Sequence, residues 1–215
     1  MKLTPVIEIA YCNQGIEPPD LYPKIKHSHE WDLYRAATHQ KAGFEMPMKP
    51  FREGFFLFDF DAVSEFNLEK LVRDHLDAAE ECDEEPIPLA GGFVLEENGK
   101  ILLTPQCCGD LSDIEFWRGV SGGRDDLNWE AHPLPDVTYK DGRAFFTCVD
   151  DLEDFEEPFV ESFDVSLVDL ARAAEVAEEE LRGFKARLES LLERLNLPRY
   201  ADLLTFNRNA QSGKR

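Results

Sequence analysis

GGFVLEENGKILLTP, Gly91 to Pro105, sets two apolar runs on either side of an Asn98-Gly99 dipeptide. Asn-Gly adopts the positive φ angles of a two-residue type I′ turn, so the stretch predicts a β-hairpin. A second hairpin is predicted in VTYKDGRAFFTCV, residues 137–149, with Asp141-Gly142 at its turn. Hairpins join antiparallel strands, whereas parallel strands need a crossover of about a dozen residues or more. The pair excludes a doubly wound parallel sheet. It predicts an α+β fold: an antiparallel sheet with at least two hairpins, flanking helices and a long C-terminal helix.

Outward from the hairpins, LTPVIEIAY (Leu3–Tyr11) reads as a strand broken near its start by Pro5. SHEWDLYRAATHQ predicts a short helix with Ser28 as N-cap and Trp31, Tyr34 and Ala37 or Thr38 on one face. FREGFFLFDFDAV (51–63) is apolar on both sides and predicts an interior strand. NLEKLVRDHLDAAEE places Leu68, Leu71, Val72 and Leu76 at helical spacing behind Asn67 as cap. DDLEDFEEPFVESFD (150–164) reads as an acidic linker. Beyond it Leu170, Ala174, Ala177, Leu181, Phe184, Leu188, Leu191 and Leu195 step 4, 3, 4, 3, 4, 3, 4, a heptad seam. Ser166 can cap this helix, Gly183 weakens its middle and Pro198 ends it. The seam either packs on the sheet or against YADLLTF (200–206), or it joins two copies through the 166–196 helix, so the chain is expected as a monomer or such a homodimer. The tail NRNAQSGKR is expected to fray. The division expected is an α+β core over 1–160 and a helical segment over 161–215 packed on the same domain.

A chain of 215 residues, 43% hydrophobic, has ample material for a core. No stretch approaches the roughly 20 apolar residues that span a bilayer, and no cleavable leader is recognisable, so a cytoplasmic, membrane-free protein is expected. Five cysteines without repeated spacing, Cys12, Cys82, Cys107, Cys108 and Cys148, argue against a disulfide framework and fit small buried hydrophobes. The net charge of −21 is uneven: residues 51–170 hold 8 basic and 31 acidic side chains. Such a field repels nucleic acid and attracts a basic protein partner or cations. No cofactor is expected.

In FFLFDFDAV the pair Asp59 and Asp61 follows an apolar run, and Gly109-Asp110-Leu-Ser-Asp113 follows later. The first resembles the nucleophile motif of the haloacid-dehalogenase-like phosphatases and the second their metal-binding motif, one residue shorter. That resemblance implies Asp59 as nucleophile, Asp61 as general acid, and Asp59, Asp110 and Asp113 around a divalent metal. Three departures stand beside it. About fifty residues with a helix and a hairpin separate the motifs, TPQCC intervenes before Gly109, and the basic residue of a third motif is missing, leaving Lys100 in a hairpin. A zinc site on Cys107-Cys108 meets the difficulty that adjacent side chains in extended chain point apart; His27 and His29 are spaced to share a strand face, and His39, Cys12 or Cys148 could complete a set of ligands. Thiol catalysis would need His132 as base to Cys107 or Cys108. Gly91-Gly92 and Ser121–Arg124 lack the features of phosphate loops. In structural terms the stretch is a corner. Ser112 with Glu115 forms a capping box, Gly109 turns the chain, Asp110 and Asp113 sit near the positive helix end, Ile114 and Trp117 anchor the helix, and Cys107 and Cys108 complete the corner.

Hairpin, PQCCGDLSDIEFW corner and acidic surface together, over roughly residues 90–120, are similar to the small acidic bacterial proteins that neutralise polymorphic toxins. The resemblance implies a non-catalytic, immunity-type inhibitor that sets an acidic surface against a basic partner such as a nuclease. The surface would come from Glu80, Glu81, Asp83, Glu84, Glu85, Asp150, Asp151, Glu153, Asp154, Glu156 and Glu157. Two other expectations stay open: a divalent-metal-dependent phosphatase-like hydrolase, and a structural protein dimerising through its C-terminal helix.

Overall fold

The computed structural model describes residues 1–127, 131–150 and 152–206. Its strands are β1 (Lys2–Glu8), β2 (Leu57–Asp59), β3 (Gly91–Glu97), β4 (Lys100–Leu103), β5 (Asp136–Lys140), β6 (Arg143–Thr147) and β7 (Ser162–Ser166). Its α-helices are α1 (Ser28–Ala42), α2 (Glu65–Glu81), α3 (Ile114–Ser121), α4 (Leu167–Arg194) and α5 (Ala201–Thr205). The α+β class holds, with two antiparallel sheets: one in the order β2-β1-β3-β4, the other β5-β6-β7. Both hairpins turn where the dipeptides placed them, with φ of 52° and 77° at Asn98 and Gly99, and 51° and 74° at Asp141 and Gly142. No helix among the described residues is long and apolar enough to cross a membrane.

Several local expectations are corrected. β1 runs unbroken through Pro5. Glu8 N–H donates to Ala90 on the β3 side and Ile9 N–H to Phe56 on the β2 side. By alternation, the N–H that Pro5 lacks would face β2, which has already ended opposite Val6. β2 is a three-residue edge strand, not an interior one. Its apolar flanks arise because both faces of the sheet are covered. Leu3, Ile7, Phe58, Phe93 and Leu95 face the main core; Val6, Phe55, Val94 and Ile101 form a second cluster under Ile25 and Phe51. The acidic stretch 150–164 ends in β7, whose Phe163 stacks on Phe146 at 4.7 Å, so the second sheet has a third strand across the expected boundary at 160.

Capping departs from expectation at α1 and α2. α1 has no side-chain cap, because Ser28 is its first helical residue. The α2 cap is Ser64, accepting from Asn67 N–H, while Asn67 is buried and its side chain ties the chain at Glu45. Ser166 caps α4 as expected. α4 has 28 residues, about 42 Å at 1.5 Å per residue. Seven of its eight seam residues are buried and Leu195 is partly so, and the helix packs on β1, α3 and α5. The seam is therefore covered by the chain's own core, and Val168 and Val176 are the large apolar side chains that α4 leaves exposed. The tail 207–215 lies outside the described residues.

Gly91 allows the closest approach in the sheet: a Cβ there would sit 2.2 Å from the Val6 carbonyl oxygen, at φ +143°. Gly91→Ala is expected to cost more than about 3 kcal/mol in urea denaturation; a midpoint near that of the wild type would contradict the pairing of β1 with β3.

His39 is fully buried on α1, its Nε2 2.8 Å from the Ile9 carbonyl oxygen while Nδ1 has no partner among the described residues. Burial holds its imidazole down at about 4 from 6.5; the Ile9 bond acts the other way, and the Arg35 guanidinium adds to the depression. Between those two values the unfolded chain binds more protons, so stability falls as the pH is lowered through that window. This group alone is expected to remove about 2 kcal/mol between pH 7 and pH 5. His39→Gln should flatten that part of the stability curve; an unchanged slope would assign the titration to other groups.

Candidate functional site

The corner between β4 and α3 replaces β4 as the neighbour of β3. Gly91 N–H donates to Gly109 O (3.0 Å) and Leu111 N–H to Leu89 O (3.2 Å), with Asp110 opposite Ala90. The capping box sits two residues earlier than Ser112 and Glu115 suggest. Asp110 Oδ1 accepts from Ser112 N–H at 2.8 Å and from Ser112 Oγ at 2.6 Å, and Asp110 N–H donates to Asp113 Oδ2 at 3.3 Å. Aspartate wins because a charged acceptor at a helix start binds the unsatisfied N–H groups more strongly than a hydroxyl. Glu115 instead pairs with Arg118 on the surface at 3.0 Å. Ile114 and Trp117 are fully buried, as the anchoring role requires.

Gln106 locks the corner. It is 4% exposed, its Nε2 donates to Thr104 O at 2.9 Å, and its Oε1 accepts from Glu156 N–H at 2.8 Å. Phe155, buried beside Phe159, pins the same segment. Glu156 and Glu157 are thereby held over a cleft of about 170 Å³ that also takes in Glu8, Lys24, Phe55, Phe56, Pro105, Cys107 and Cys108. Desolvation, then the neighbouring Glu156 carboxylate, push the Glu8 pKa up; Lys24, whose Nζ lies 3.6 Å from Glu156, pulls it down.

The cysteines depart from both expectations made for them. Of the five only Cys148 is a buried hydrophobe, its thiol pushed up to about 12 by burial; the other four are exposed. Cys107 and Cys108 do not point apart: Cys108 has φ +65°, and the two Sγ atoms are 3.6 Å from each other. An extended chain would separate adjacent side chains, and the left-handed turn at Cys108 removes that separation. The bond to Cys108 is the first cause raising the Cys107 pKa, with desolvation next and then the charges of Cys108, Glu156 and Glu8. His132 N–H donates to Cys107 O at 2.8 Å, so the backbone of the suggested base is at hand. A thiol held above its ordinary pKa beside carboxylates is nevertheless the opposite of the electropositive setting that activates a nucleophilic cysteine.

The two halves of the phosphatase-like motif lie apart. Asp59 ends β2 opposite Val6, and Asp110 stands beyond β3 opposite Ala90. Three strand spacings, roughly 14 Å at about 4.8 Å each, separate their backbones. Asp59 and Asp61 line an open groove with Lys2, Thr4, Glu180 and Arg187. Desolvation raises the Asp59 pKa first, Asp61 also raising it and Lys2 and Lys49 lowering it. Asp113 stays at the capping box. Lys100 is exposed at the start of β4. His27 ends the turn before α1, His29 lies in its first turn and His39 is buried. Among the described residues no group of three or more His, Cys, Asp or Glu side chains is placed to hold a metal ion.

Of the acidic residues, Glu80 and Glu81 end α2 and Asp83, Glu84 and Glu85 follow it, all exposed and none lining the cleft. Asp150, Glu153, Asp154, Glu156 and Glu157 are also exposed; Asp151 lies outside the described residues. The residues that pattern reading missed are Glu8, Lys24 and Gln106. Glu8 alone carried a signal, a carboxylate set between the apolar pairs Val6-Ile7 and Ile9-Ala10. No family model, curated protein or solved structure matches this chain.

Gln106→Ala would leave the Glu156 N–H and the space around Thr104 without their partner. The substitution is expected to cost about 1–3 kcal/mol and to speed amide exchange over 152–157. Unchanged exchange there would mean that Phe155 alone holds the segment.

Proposed function

We propose that the protein is a non-catalytic binding module that receives a basic protein through an acidic face centred on Glu8, Glu156 and Glu157. The observation that carries this reading is the crowding of like charge in the cleft. Glu8, Glu156 and Glu157 share its lining, burial and then Glu156 raise the pKa of Glu8, and Lys24 is the one basic residue lining the cleft among those described. Like charges held together cost free energy that an incoming lysine or arginine relieves, so part of the association is prepared by the fold. Asp150, Glu153 and Asp154, exposed just before Glu156, extend the same negative field. The charge of residues 51–170 as a whole speeds encounter with a positive partner.

A basic nuclease domain is the partner class this charge fits, and an immunity-type inhibitor is the role that follows. A panel of purified basic nuclease domains tests the reading. At least one is expected to associate, with a rate that drops as salt rises and the screening length shortens. Glu8→Gln, Glu156→Gln and Glu157→Gln combined should slow association by about tenfold or more without lowering the unfolding midpoint. Asp59→Asn and Asp110→Asn should leave association unchanged. Hydrolysis of a phosphate monoester that needs a divalent cation and is lost in Asp59→Asn would overturn the proposal in favour of an enzyme.

A further inference from the structure

We propose that Leu152, with Val149 and Leu134 at the open end of the β5–β6 hairpin, is the apolar anchor of the partner interface, and that the basic partner receives it in an apolar depression ringed by lysine or arginine. This rests on the binding-module reading, and it gives the partner surface a shape as well as a sign.

The stretch 150–157, Asp-Asp-Leu-Glu-Asp-Phe-Glu-Glu, holds six carboxylates and two apolar residues. The two apolar side chains have opposite fates. Phe155 is 7% exposed and belongs to the core, whereas Leu152 is 93% exposed, the most of any large apolar side chain among the described residues. Removing a leucine from water is strongly favourable, and within the chain Leu152 realises almost none of that gain. A lone exposed apolar side chain carries no message about binding. Leu152 has company: Leu134 and Val149, 49% and 52% exposed, stand two residues beyond Asp136 and Thr147, the last pair of the hairpin. From there the chain is tied to the acidic cleft on both sides. His132 N–H, two residues before Leu134, donates to Cys107 O at 2.8 Å, and Glu156 N–H, four residues after Leu152, donates to Gln106 Oε1 at 2.8 Å. Cys107, Gln106 and Glu156 all line the cleft.

The loop holds Leu152 out before any partner arrives. Asp150 Oδ1 accepts from Leu152 N–H at 2.8 Å and from Glu153 N–H at 3.1 Å. Cys148 N–H donates to Glu161 O, and Phe155 with the Gln106 bond fixes the far end. An anchor ordered in advance loses little conformational freedom on binding, and that loss is a large part of what association costs.

Charge decides what covers these side chains. A second copy on a two-fold axis would apply the same patch to itself and bring Asp150, Glu153 and Asp154 up to their own counterparts, like charge against like. An anionic membrane surface is repelled for the same reason. A basic protein meets opposite charge at the rim and apolar contact at the centre, the usual anatomy of an interface. Because Leu152 stands out from the loop, the partner is concave at that point.

Stopped-flow kinetics with the panel of basic nuclease domains, and with oligolysine as a probe of charge alone, tests the anchor. For a domain that associates, Leu152→Ser is expected to speed dissociation about tenfold or more, because apolar contact acts after encounter. The association rate should stay within about twofold of the wild type. Glu8→Gln, Glu156→Gln and Glu157→Gln combined should do the reverse, slowing association and sparing dissociation. Leu152→Met should stay close to the wild type, since methionine fills a similar apolar space. Val176→Ser, beside Lys2 at the other end of β1 from Glu8, should change nothing. With Leu152 outside the core, Leu152→Ser should leave the unfolding midpoint and the oligolysine affinity where they are. An unchanged dissociation rate in Leu152→Ser, with the carboxylate triple still slowing association, would overturn the anchor and leave the binding module standing. A fall in oligolysine affinity would also overturn it, by showing that the substitution acts through the acidic rim. A dimer that sediments in the wild type and not in Leu152→Ser would give the patch to a second copy. Association by no domain of the panel would overturn anchor and binding module together.

Discussion

Burial of the α4 seam is the constraint to which the remaining elements conform. Leu170, Ala174, Ala177, Leu181, Phe184, Leu188 and Leu191 lie along one stripe and are all buried. Each fully buried leucine or phenylalanine contributes about 1.5–3 kcal/mol, so no other single element of the chain carries as much. The stripe packs on β1 at the centre of the first sheet and on α3. β7 runs directly into the helix, and Leu167 N–H donates to Gly142 O at the second hairpin's turn. One helix thus ties two sheets that share no strand. Arg187, from the same helix, donates to the Phe60 carbonyl oxygen at 2.8 Å and also binds Glu65, holding the link between β2 and α2.

With the sheet fixed from one side, the corner from Thr104 to Asp113 has little freedom. It must complete the edge beside β3 and start α3 with Trp117 already in the core. Gln106 and the Asp110–Asp113 box meet that demand from inside, by bonding the groups that the turn strips of partners. What remains outside is the short span Cys107-Cys108. Its left-handed residue is a consequence of fitting the turn into the space between two fixed ends.

The legible parts of this protein are those set by local chemistry. Asn98-Gly99 and Asp141-Gly142 announce their turns because the required φ angles belong to those residues. The α4 seam announces itself because a helix repeats its demand every three or four residues. Other features depend on neighbours. Phe55, Phe56, Leu57 and Phe58 looked like an interior strand, yet apolarity on both sides reports that both faces are covered, and it says nothing of how many strands lie alongside. β7 hid among carboxylates because its outer face is polar and only Val165 is fully buried. Caps were misplaced by two or three residues where Ser64 competed with Asn67 and Asp110 with Ser112. Cys108 gave no warning at all, since a non-glycine residue adopts positive φ only when its surroundings compel it.

Function follows the same division. The sum of charge was readable; which carboxylates stand together was not, because Glu8 and Glu156 meet only through the fold. A strand end, a buried glutamine and a phenylalanine cooperate to hold two like charges beside two thiols. A protein selected for stability alone would have put a lysine or a neutral residue at one of the carboxylates and a glycine at Cys108. The cleft thus gathers a left-handed residue and neighbouring carboxylates in one place, and the packing of Gln106 and Phe155 behind it is what sustains that cost.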